Sequence, residues 1–109
     1  MNINETIIRK SIKYYGSETQ KIVCMEECSE LIQAISKEVR GKSDIDHLTE
    51  EMADVLICIE LLKQMFGINE SELQAWIDLK QERTVERMKG EPECRGSSRR
   101  IQRRLDSMQ

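Results

Sequence analysis

No proline stands before Pro92, and residues 1–89 are divided by three glycines, Gly16, Gly41 and Gly67. Each glycine is followed closely by a helix-start signature: Ser17-x-x-Gln20, Ser43-x-x-Asp46 and Asn69-x-x-Glu72. In such a box the first side chain accepts from a free backbone N–H and the residue three positions on answers it. Glycine closing one helix and a capping residue opening the next is helical punctuation, and it predicts four helices near 3–15, 18–40, 45–66 and 70–89. The connections are short, so neighbouring helices are expected to pack antiparallel. The expected class is therefore all-α, a four-helix bundle-like fold around a central antiparallel hairpin of the second and third helices.

Length and composition agree. A chain of 109 residues is one domain by size and can bury a modest core without disulfides or a structural metal. A hydrophobic share of 39% beside a charged share of 34% suits a charged helical protein better than a sheet-rich or disordered one. The helical domain is expected over residues 1–90, with a basic tail over 91–109. From Arg95 to Gln109 there are five Arg and one Asp, a net +4 that leaves −7 on residues 1–94 of the overall −3. The tail reads as a solvated extension, a short basic amphipathic helix around Ile101 and Leu105, or a nucleic-acid arm. With aromatics at 4%, few rings are on hand to stack on bases, and specific nucleic-acid binding is not expected.

The opening MNINETIIRK lacks an apolar signal-peptide core, so a reducing cytoplasm is the expected location. The longest apolar run, Val55 to Ile59, is far too short to cross a membrane. Cys24, Cys28, Cys58 and Cys94 have neither the second Cys pair nor the His cluster that a zinc site needs. They read as buried small hydrophobes. Between Val55 and Phe66 the polar residues are Glu60, Lys63 and Gln64, on one narrow side. A helix so nearly apolar all round is expected to be central, partly covered by a second copy of the chain, with Met65 and Phe66 at that interface. A homodimer or higher oligomer follows as an expectation.

Two segments can be laid on each other, EECSELIQAI (residues 26–35) and EEMADVLICI (residues 50–59). At about 100° per residue the core stripe of the second helix is predicted through Cys24, Cys28, Leu31, Ile35 and Val39. That of the third is predicted through Leu48, Met52, Val55, Ile59, Leu62 and Phe66. Glu27 and Glu51 fall at the edge of those stripes, and Glu30 and Asp54 one step further round, flanked by apolar residues. Among 20 acids, only Glu27/Glu30 and Glu51/Asp54 stand at i, i+3. Like charges at that spacing repel, a carboxylate against apolar surface costs more, and a bound cation relieves both. Folding the hairpin at Gly41 brings the pairs level.

Four facing carboxylates make an all-oxygen site that suits Mg²⁺, with Mn²⁺ able to substitute. A di-iron bundle wants Glu-x-x-His from two helices, and the single histidine, His47, reads instead as a surface or capping residue. A hard cation on a small helical scaffold handles phosphates. Candidate phosphate partners are Lys37, Arg40 and Lys42 near the hairpin and Lys80, Arg83 and Arg87 along the fourth helix.

Glu27-x-x-Glu30 followed by Glu51-x-x-Asp54, within EECSE and EEMAD, resembles the pattern of the MazG-like all-α nucleoside triphosphate pyrophosphohydrolases, over about residues 18–88. The resemblance implies Mg²⁺-dependent hydrolysis of a nucleoside triphosphate to the monophosphate and pyrophosphate. It also implies a helical dimer or tetramer and a part in nucleotide house-cleaning or pool control. It makes Glu27, Glu30, Glu51 and Asp54 the metal ligands and Lys80, Arg83 and Arg87 the segment that meets the phosphates, although Thr84 stands where the family frequently has Asn. Glu26 and Glu50 are candidates for supporting or general-base roles, and Trp76 for stacking on a nucleobase. Related dUTPase-like, dCTPase-like and phosphoribosyl-ATP pyrophosphatase activities share the carboxylates and differ in the base pocket. A non-catalytic helical interaction module is the alternative of another class.

Overall fold

The computed structural model describes residues 1–90. They form four helices, α1 (Glu5–Tyr15), α2 (Ser17–Val39), α3 (Ile45–Phe66) and α4 (Glu70–Gly90), with no strand among the described residues. The expected basic tail and Cys94 lie outside the described residues. The chain divides into two compact units, one of residues 1–69 and one beginning at Glu70. No helix of the described residues is long and apolar enough to cross a membrane.

The glycines act as the sequence predicts, but two of the caps do not. Gly67 closes α3 in the left-handed region, at φ 63° and ψ 35°, where a side chain would be strained. At the end of α2, Gly41 N–H donates to Glu38 O (3.1 Å) and Lys42 N–H to Lys37 O (2.9 Å), the paired bonds of a Schellman motif. Ser17 is already helical, and α2 opens on Gly16 with no side-chain cap. The cap of α3 is Asp44, whose carboxylate accepts from His47 N–H, and not Ser43, whose hydroxyl donates to Glu38 Oε1 (3.3 Å). Asn4 caps α1, accepting from the N–H groups of Thr6 and Ile7.

The register of the α2–α3 hairpin can be read from its cross-helix pairs. Glu38 accepts from Asp44 N–H (3.0 Å), a carboxylate oxygen of Glu27 lies within 4.8 Å of one on Glu51 and one on Asp54, and Cys24 Sγ donates to Cys58 O (3.7 Å). One number falls as the other rises, so the helices run antiparallel. At the Gly67 end α1 joins them, and Ile8, Cys24, Cys58 and Leu61 form the buried cluster, with Ile3, Ile12, Leu62 and Met65 against it. Met65 is thus half-buried against the core of the single chain.

The face of α2 that turns inward carries Gln20, Cys24, Glu27, Leu31, Ala34 and Glu38, all buried or half-buried. This corrects the predicted stripe: Cys28, Ile35 and Val39 are exposed, Val39 at 83%. The physical reason is width. The apolar residues of α2 spread over more than half of its circumference, and one neighbouring helix can occupy only part of that arc. The remainder, Met25, Cys28, Ile32, Ile35 and Val39, alternates spacings of three and four and stays open. On α3 the same happens: Ile45, Met52, Ile59 and Phe66, seven residues apart, are exposed instead of forming the core. Both open stripes are displaced in the same rotational sense from the line of contact. In an antiparallel pair that places them on one side of the hairpin.

Within the second unit, α4 contributes no buried residue.

Candidate metal centre

Glu27 on α2 faces Glu51 and Asp54 on α3, and one carboxylate oxygen from each lies within 4.8 Å of the others. Glu51 is 4% exposed and Glu27 half-buried, so these acids sit in the middle of the helix contact and not at its edge as the sequence stripes place them. Two oxygens, Glu27 Oε2 and Glu51 Oε2, are buried with no hydrogen-bond partner among the described residues. A buried, unpartnered carboxylate oxygen is costly, and proteins retain one chiefly where something else fills the need.

The electrostatics record the crowding. Burial, then a proton shared with Asp54, then the charges of Asp54, Glu30 and Glu51 push the Glu27 carboxyl up to about 7. Glu51 is also raised, by burial first and then by Glu30 and Asp54, with His47 acting in the opposite direction. Glu30 is exposed and stands outside the tight trio, yet it is close enough to hydrogen-bond Glu51. All four predicted ligands thus meet at one place, three tightly and the fourth on its rim.

The donor set fits a hard cation. Two oxygens bound to one Mg²⁺ at about 2.1 Å are at most roughly 4.2 Å apart, so three oxygens within 4.8 Å need small rotamer shifts to share an ion. Thiolate chemistry nearby is poorly supported, because burial and then the Cys24 thiol push Cys58 up to about 12. Cys24 and Cys58 are buried as expected, whereas Cys28 is exposed on the open stripe.

Glu26 and Glu50, each one residue before a cluster member, are exposed, as is Lys37. Arg40 Nε donates to Ser36 O (3.3 Å), and Lys42 is exposed in the turn. On α4, Lys80, Arg83, Thr84 and Arg87 line one shallow depression, and Thr84 Oγ1 donates to Lys80 O (3.0 Å). Trp76, one turn earlier, is 58% exposed. His47, read from the sequence as a surface or capping residue, is half-buried in the first turn of α3, and its Nδ1 is 3.8 Å from Glu51 Oε1. The signal was present, since residues four apart on a helix are neighbours.

A family model, the MazG nucleotide pyrophosphohydrolase domain, matches residues 16–88. No curated protein and no solved structure matches the chain.

Proposed function

The chain belongs to the MazG nucleotide pyrophosphohydrolase family, and on that premise we propose that it is a Mg²⁺-dependent hydrolase of nucleoside triphosphates, releasing the monophosphate and pyrophosphate. Such an activity serves nucleotide-pool house-cleaning in the cytoplasm. The carrying observation is the trio Glu27, Glu51 and Asp54, with two buried oxygens unpartnered inside the matched segment. With Glu30 on the rim, these residues would hold Mg²⁺, or Mn²⁺ in its place. When bound, such a cation bridges phosphate oxygens, neutralises developing charge and lowers the pKa of a coordinated water.

The chain's own groups have separable parts. Glu27, Glu51 and Asp54 bind, and their position between two packed helices keeps bulk water from their inner oxygens. Glu26 and Glu50 face solvent, where a carboxylate can accept the proton of an attacking water. Lys37 on α2 and Lys80, Arg83 and Arg87 on one face of α4 are assigned to the phosphates, and Trp76 to the base.

The open stripes of α2 and α3 support a second proposal, a homodimer or homotetramer in which a second copy covers them. None of their nine residues is charged, and a continuous exposed apolar face marks an interaction surface.

The test is a panel of ribo- and deoxynucleoside triphosphates, with dUTP, dCTP and phosphoribosyl-ATP included, incubated with Mg²⁺. Pyrophosphate and a monophosphate are expected from at least one of them. Orthophosphate alone would overturn the assigned bond, and no hydrolysis of any would overturn the activity.

A further inference from the structure

His47 is a polar side chain beside the acids that the proposed reaction leaves without a part. It is the third residue of α3, and its backbone N–H donates to Asp44 Oδ1 at 3.1 Å, so the cap fixes where the helix, and His47 with it, begins. One turn on, its Nδ1 lies 3.8 Å from Glu51 Oε1, with the imidazole side chain 38% exposed and that of Glu51 6%. The two oxygens of Glu51 therefore differ: Oε1 is turned toward the imidazole, while Oε2 is buried without a partner.

We propose that His47 is a positioning residue for Glu51, its Nδ1–H directed at Oε1 so that Oε2 is held toward the acid cluster. The inference rests on the reading of Glu51 as a cation ligand. A carboxylate bonded to an ion through one oxygen is held by what meets the other, and such outer partners commonly set ligand orientation. Glu30 and Asp54, the acids beside Glu51, repel it when ionised, so an imidazole N–H is a favourable neighbour for its carboxylate. A neutral imidazole with its proton on Nδ1 is sufficient, so no change of protonation is involved. At 3.8 Å the pair stands outside hydrogen-bond length, and the proposal places that bond in the cation-loaded protein.

The experiment is calorimetric titration of Mn²⁺ into the full-length protein and its His47→Ala, His47→Asn and Glu51→Gln variants, with metal-free melting curves in parallel. His47→Ala is expected to weaken Mn²⁺ binding roughly 10- to 100-fold, the usual cost of losing an outer partner. His47→Asn, whose amide nitrogen stands near the place of Nδ1, should recover most of that loss, and metal-free melting should show that both variants fold. Mn²⁺ binding by His47→Ala as tight as, or tighter than, in the wild type would overturn the proposal. That is the result if His47 were merely a nearby charge, since removing positive charge beside acids favours a cation. Equal losses in the Ala and Asn variants would also overturn it. If the wild type itself takes up no Mn²⁺, the cation reading of the acids falls and this inference with it; if the wild type binds and His47→Ala matches it, only the role of His47 falls.

Discussion

Glu27 illustrates how a functional demand is written against stability. Its carboxyl is raised from 4.5 to about 7, which means the folded state holds a proton that the unfolded chain has released. The sign follows: the contribution to stability is fully present below pH 4.5 and is lost as pH rises through about 7. The metal-free melting temperature should therefore fall across that interval, and a flat or rising profile would contradict the crowding described for the site. A cation needs these oxygens ionised, so Mg²⁺ affinity is predicted to rise over the same interval with release of protons, measurable by calorimetry in buffers of different ionisation heat. Glu27→Gln should raise the metal-free melting temperature by removing one acid from a repelling group, while abolishing the response to Mg²⁺. A lower melting temperature in that variant would mean the carboxyl serves packing.

The helices separate what sequence makes legible from what it does not. The four elements were readable because Gly16, Gly41 and Gly67 punctuate the chain, and their bounds agree with the structure to within two residues at each end. The site was readable because a fixed register brings acids at i, i+3 on two helices level. The inward faces were not. Apolar periodicity locates the middle of an apolar arc, and on α2 that middle falls between the part that meets α3 and the part left open, so Ile35 and Val39 were misplaced and Glu27 assigned to the edge. The caps failed for a related reason, because Asp44 and Ser43 are equally plausible until the turn decides which side chain reaches a helical N–H. Two substitutions weigh the faces against each other. Leu61→Ala, in the buried cluster, should cost about 2–5 kcal/mol in denaturant unfolding, and a cost near zero would contradict its place in the core. Ile35→Glu on the open stripe should instead lower the molar mass in light scattering while leaving the helix content unchanged. An unchanged mass would argue against a second copy on that face.

At the scale of the molecule, the buried cluster among the described residues, four side chains shared by three helices, is small for the apolar surface that α2 and α3 carry. An acid trio, with Glu51 buried and Glu27 and Asp54 half-buried, further taxes that core. Both features fit the proposed cation between the helices and the proposed second copy over the open face, each of which would stabilise the fold by binding it. The MazG family match over residues 16–88 spans all of α2 and α3, which together build the acid cluster, and α4 nearly to its end. The account stands or falls on whether the acids act as one cation cradle, and melting of the wild type and Glu51→Gln across a Mg²⁺ titration measures this most directly. The account predicts a melting temperature that climbs with Mg²⁺ and saturates in the wild type, and a Glu51→Gln protein that starts higher and does not respond. A wild-type curve indifferent to Mg²⁺ and Mn²⁺, or a Glu51→Gln curve that climbs as the wild type does, would contradict it.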